Sequence, residues 1–78
     1  MNNQNLLTDL KIGEKASIEG FTVADDMSQR LLEMGLTPGE DVEIIRFAPM
    51  GDPLEIRIKG YLLSLRRDEA VLIKINRS

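Results

Sequence analysis

The chain has 78 residues, a net charge of −3, no histidine, no cysteine, and a 42% share of hydrophobic residues. Those totals describe one small domain with an aliphatic core: at this size roughly 60% of the unfolded surface can be buried, and only Phe21, Phe47 and Tyr61 are aromatic. They exclude disulfides, thiolate or imidazole metal sites, and catalysis that relies on a cysteine nucleophile or a histidine base.

Residues 1–5, "MNNQN", are polar and read as a flexible tail. They lack the basic patch and apolar run of a secretory signal, and residues 6–78 read as a single domain. "LLTDLKIGE" predicts a short helical turn ending near Gly13, with Thr8 as its cap and Leu7, Leu10 and Ile12 as anchors. "EKASIEGF" predicts a strand with Ala16 and Ile18 inward and a bend or bulge at Gly20.

The one long helix is predicted in "DDMSQRLLEMGL". Asp26 and Gln29 form a capping-box-like pair. Met27, Leu31 and Met34 then fall on one face, at i, i+4 and i+7. Gly35 sits where a helix commonly ends in the left-handed conformation, with Leu36 placed to close back on Leu31. Pro38 and Gly39 of "TPGE" suit the two central positions of a turn.

Everything beyond reads as short strands. "DVEIIRFA" leads into "PMGDP", whose glycine and flanking prolines predict a loop. "LEIRIK" alternates cleanly, with Leu54, Ile56 and Ile58 inward. After Gly60, "YLLSLR" resumes with Tyr61, Leu63 and Leu65 in phase. "RRDEA" fits one helical turn, and "VLIKI" closes with Val71, Ile73 and Ile75 on the buried face. About five short strands in so few residues solve their edge and core problems together by curling up. The expected fold is therefore mainly β: a small SH3-like barrel with one inserted α-helix.

The chemistry of the side chains narrows the function. No phosphate-binding loop is present, since "GLTPGE" lacks the lysine and the spacing. The carboxylates Asp25, Asp26, Asp52, Asp68 and Glu69 lie at turns and helix ends, where they act as caps and solubilising charges. An acidic balance with few aromatics argues against nucleic acid as a partner. No stretch approaches the ~18 apolar residues that would span a bilayer. Some apolar residues fall out of phase with the inward set: Leu32, Ile45, Phe47, Leu62 and Leu72. Two accounts fit them. Either bulges and curvature absorb them, or they form an apolar patch near the helix and the "APMGDP" loop that docks another protein.

Four marks taken together, "RLLEMGLTPG", "APMGDP", the glycine before "YLLSLRRDEA" and the closing "VLIKI", resemble the FeoA family of ferrous iron transport accessory proteins. The resemblance extends back through "LTDLKIGEKASIEGF" and covers nearly the whole chain. It implies an SH3-like barrel with an inserted helix. It also implies a place in the bacterial cytoplasm beside FeoB, a membrane protein that imports ferrous iron and carries a GTP-binding domain. On that reading the chain is not an enzyme, binds the cytosolic part of FeoB, inserts into no membrane, and self-associates weakly if at all. The expected docking residues are Leu32, Met50, Gly51, Asp52, Pro53 and Leu62, with Gly35, Pro38 and Gly39 as the turns that set the angle of presentation. No catalytic, cofactor or metal-ligating residue is assigned, and any transition-metal site in a chain without imidazole or thiolate would be weak. The same resemblance supports a second expectation, a stand-alone metal-responsive domain like the C-terminal SH3-like domain of iron-dependent repressors.

Overall fold

Ala16 and Ile18, the inward pair of the first predicted strand, are both buried. The same alternation organises the rest of the chain in the computed structural model, which describes residues 5–77. The tail expected over residues 1–5 thus falls, from 1 to 4, outside the described residues. Five strands form one antiparallel sheet: β1 (Lys15–Phe21), β2 (Asp41–Phe47), β3 (Leu54–Ile58), β4 (Tyr61–Leu65) and β5 (Ile73–Asn76). Helix α1 (Asp26–Glu33) is inserted between β1 and β2, and a single turn, α2 (Arg67–Ala70), joins β4 to β5. The strand order is β4-β3-β2-β1-β5. This is the expected SH3-like arrangement with one correction. The hydrogen-bonded ladder does not close into a ring: α2, and not a fifth pairing, connects the two outer strands.

Two bulges bend the sheet. The β1–β5 register shifts between Ile18 and Gly20, at the glycine where the sequence predicts it. The β2–β3 register shifts between Ile44 and Arg46. Ile45 is therefore the extra residue, and the phase of β2 changes after it. Phe47, out of phase on paper, returns to the inner side and packs on the core.

The core itself is aliphatic. Leu7, Leu31, Leu36, Ile44, Leu54, Ile56, Leu65 and Ile73 are fully enclosed. At about 1.5–3 kcal/mol for each fully buried aliphatic side chain, this cluster is the main source of stability in a domain with no cross-links. Three predicted anchors lie elsewhere. Ile12 is exposed, because the 3-10 turn ends at Asp9 and the chain leaves the core after Leu10. Val71 is exposed because it is the C-cap of α2, and β5 starts only at Ile73. Tyr61 shares the inner face with its partner Ile58 but stands at the rim, 44% exposed. Thr8 makes no cap either: the Leu6 N–H donates to Asp9 Oδ2 at 2.9 Å instead.

Helix α1 starts one residue earlier than predicted. Asp25 is the cap; Asp25 Oδ1 accepts from the Ser28 N–H, and the Asp25 N–H donates to Ser28 Oγ, each at 2.9 Å. The Ser28 hydroxyl also donates to the Asp25 carbonyl, so this buried serine is fully satisfied. Leu31 is the helix's one buried apolar residue, while Met27 and Met34 are half-buried.

Replacing Leu31 with alanine removes the side chain that fastens α1 to the sheet. The expected cost is about 2–5 kcal/mol, a large part of the stability of a chain this size. Urea denaturation reads it directly, and a midpoint unchanged by L31A would overturn this account of how α1 packs.

Candidate functional site

Three turns decide what the surface presents. The first is the end of α1. The Leu36 N–H donates to the Leu31 carbonyl at 3.1 Å and the Gly35 N–H to the Leu32 carbonyl at 3.0 Å. That double closure is the Schellman pattern, with Gly35 at φ +106° and Leu31 against Leu36 as its apolar contact. The Tyr61 hydroxyl donates to the Met34 carbonyl at 2.6 Å. A β-carbon at position 35 would lie 2.8 Å from that hydroxyl oxygen. Glycine is thus required twice at one residue, by its backbone angle and by the tyrosine lying over it.

The second turn is Thr37–Glu40. The Glu40 N–H donates to the Thr37 carbonyl at 3.1 Å, with Gly39 at φ +94°. The Gly39 N–H donates to Ile18 and the Ile18 N–H to Glu40, both at 2.8 Å. The turn falls at Pro38 and Gly39 as the sequence predicts, and the Gly39 N–H and Glu40 carbonyl tie it to β1 before β2 begins.

The third is the loop between β2 and β3. The Gly51 N–H donates to the Ala48 carbonyl at 2.7 Å, and the Ala48 N–H to the Pro53 carbonyl at 3.0 Å. Met50 stands at the tip, 92% exposed. Asp52 does more than shape its own loop: its Oδ1 accepts from the Arg67 N–H at 3.0 Å and so caps α2 from a distance.

These elements separate the expected docking residues. Met50, Gly51, Asp52 and Pro53 lie together at the Leu54–Leu65 end of the β3–β4 hairpin. Leu62 sits opposite Arg57 near the other end, roughly 10 Å along the strand from Leu65. Leu32 lies in an open groove of ≈ 590 Å³ beside α1, which Phe21, Val23 and Ala24 share and Asp25, Asp26 and Gln29 rim. Phe21 and Val23 were not singled out by sequence. Their only signal is two apolar residues within the four positions before the Asp25 helix cap, where polar linkers are usual.

The outer face of the sheet is charged and mixed. Arg57 pairs with Glu43 at 3.3 Å and Arg46 with Glu55 at 3.6 Å across the β2–β3 pair, and Lys59 pairs with Glu40 at 3.7 Å. These exposed pairs contribute little to stability. Among the described residues, no three acidic side chains converge as a metal-ligand set, and no helix is long and apolar enough to cross a membrane.

The molecule is thus an SH3-like domain with one inserted helix, whose exposed features are rigid turns and apolar positions rather than a reactive constellation. Comparison places it more closely. The model of the FeoA domain matches residues 5–77, and the chain belongs to that family. It is 35% identical over 69 residues to the Fe(2+) transport protein A/Fe(2+) transporter FeoB fusion protein of Porphyromonas gingivalis. That match covers 88% of this chain but only 8% of the fusion protein. Among solved structures, a FeoA-like protein from Clostridium acetobutylicum superposes with a TM-score of 0.89 at 32% identity, over 99% of this chain and 90% of that one. FeoA of Stenotrophomonas maltophilia, solved with zinc, gives 0.78 at 27% identity, over 91% and 88%. It is described as a prokaryotic SH3 domain protein and offered as a ferrous iron transport activating factor.

The end of α1 supplies a test by double-mutant cycle. Gly35→Ala alone should cost about 1–3 kcal/mol through its backbone angle and its collision with Tyr61. Tyr61→Phe alone should cost about 0.5–1.5 kcal/mol for one hydrogen bond. Urea melts of the double variant should show that Gly35→Ala costs less once the hydroxyl is gone. Strict additivity would mean that the two residues do not meet.

Proposed function

We propose that this chain is an accessory protein of bacterial ferrous iron uptake, acting in the cytoplasm by binding the cytosolic part of a FeoB-type transporter. The observation that carries the reading is the Porphyromonas fusion protein. There a relative of this domain shares one polypeptide with FeoB, and a shared chain raises the local concentration of two parts that work together. The chemistry agrees. With no histidine, no cysteine and no convergent acidic cluster among the described residues, the chain is assigned a binding role and not an enzymatic one.

The β2–β3 loop is the docking element of this proposal. Met50 offers an unbranched, adaptable apolar side chain on a loop whose path is set by two backbone hydrogen bonds, two prolines and the tether from Asp52 to α2. A loop held this way loses little conformational freedom on binding, and preorganisation of that kind favours affinity. Leu62 and the groove around Leu32 complete the expected contact residues.

Calorimetric titration against the cytosolic domain of a cognate FeoB, with and without a GTP analogue, tests the reading. Saturable binding is the expected result. Met50→Asp should weaken it by tenfold or more, since burying an unpaired carboxylate at a contact is costly. The same variant should melt as the parent does, because Met50 is almost fully exposed. Binding unaffected by M50D would remove this loop from the interface, and no binding at all would overturn the partner assignment.

A further inference from the structure

The two outer strands of the sheet are treated very differently. The β5 edge is covered: the Ile75 N–H donates to the Asn5 carbonyl at 2.9 Å, and Leu6 bridges to Lys74. The β4 edge has no strand beside it except β3. Lys59 and Gly60 form a two-residue hairpin turn with positive φ at both positions, +53° and +84°. That geometry makes Ile58 and Tyr61 the first hydrogen-bonded pair, so Tyr61, Leu63 and Leu65 point their backbone groups at β3. The N–H and C=O groups of Leu62 and Ser64 consequently point away from the sheet. Apart from the β3 pairing, no backbone hydrogen bond to either residue occurs among the described residues.

Natural sheets blunt such an edge with a charge, a proline or a bulge. Here the strand reads Tyr-Leu-Leu-Ser-Leu, uncharged and without proline, and its register against β3 is unbroken. Leu62 and Ser64 are exposed on it, Leu62 by 51%. We propose that the β4 edge is a self-association surface, on which a second copy of this chain adds its own β4 antiparallel about a two-fold axis at Leu63.

The strand is self-complementary in that register. Leu62 faces Ser64 of the second copy, so the only backbone groups that β3 leaves unpaired meet each other on both sides of the axis. The two exposed Leu62 side chains lie on one face as diagonal neighbours, within reach of contact. Charge permits the approach. The register brings Lys59 towards Arg67 of the second copy, but Lys59 is paired with Glu40 at 3.7 Å, and Arg66 and Arg67 are followed directly by Asp68 and Glu69. The joint is locally neutral in a chain whose total charge is −3. Two five-residue strands bury a small area, so the dimer is weak and concentration-dependent. Salt, by screening the like net charges, strengthens it.

Sedimentation velocity from micromolar to millimolar concentration, paired with amide spectra along the same dilution series, is the test. The sedimentation coefficient should rise with concentration, with the largest amide shifts at Leu62 and Ser64. Ser64→Pro removes an edge-facing N–H and leaves the β3 ladder intact, as proline does on edge strands; it should hold the protein monomeric throughout. Leu62→Lys, which places a charge on the edge, should do the same and serves if the proline variant fails to fold. A parent monomeric at every concentration would overturn the proposal, as would variants that associate as the parent does. Shifts at Leu62 and Ser64 that appear only when a transporter domain is added would also overturn it, assigning the edge to that partner's strand. The readout does not depend on whether the transporter binds, so this proposal and the functional one fail separately.

Discussion

The way α1 stops decides the geometry of everything outside the sheet. A helix of eight residues carries too little intrinsic stability to hold itself in water, and only Leu31 of its apolar residues is fully buried. Its direction is held by what happens in the next three residues. Gly35 turns the chain left-handed, Leu36 drops back against Leu31, and the Met34 carbonyl takes the Tyr61 hydroxyl from the rim of β4. The last contact matters because it is not local. It ties the end of the inserted helix to the outer strand β4, and it uses a carbonyl that the helix cannot satisfy for itself.

The sheet follows the same economy. An aliphatic core with few aromatics fills space by interdigitating short side chains, so curvature must come from the backbone. The bulges at Gly20 and Ile45 supply it in two of the interior strands, β1 and β2, where each can re-aim several inward residues at once. α2 takes over where pairing stops. Its four residues lie between β4 and β5, and Asp52 from the β2–β3 loop caps its start. A loop and a helical turn that are remote in sequence are thereby one mechanical unit.

Much of this is legible in the sequence, and the limits are physical. Regular alternation in "LEIRIK" and the glycine-ended helix were readable because each is a local rule obeyed locally. The helix cap was read one residue late because two overlapping patterns exist, Asp25 with Ser28 and Asp26 with Gln29. Only the burial of Ser28 decides between them. The bulge at Ile45 left a trace, two adjacent isoleucines in an alternating run, but a strand change and a bulge look alike in one dimension. Ile12, Val71 and Tyr61 were expected inside because they are apolar and in phase. Ile12 and Val71 sit past the end of an element, where phase no longer predicts direction, and Tyr61 keeps its phase but opens β4 at the rim of the sheet. The contact between Tyr61 and Met34 spans 27 residues and has no sequence signature. Of the expected docking residues, Leu32 and Leu62 are legible as apolar positions out of step, and Met50, Gly51, Asp52 and Pro53 as a loop between prolines. Their separation onto a loop tip, a strand face and a helix groove depends on the tertiary arrangement alone.

The loop tip has a chemical side as well as a shape. Met50, 92% exposed, meets dissolved peroxide as freely as a small molecule would, whereas Met27 and Met34 are half-buried. Oxidation of Met50 to its sulfoxide would turn the most apolar point of that loop polar. It would do so without disturbing a single buried contact, because the loop's path is fixed by backbone bonds and by Asp52. The fold therefore places its most oxidisable described side chain where a change of redox conditions alters the surface and leaves the scaffold untouched.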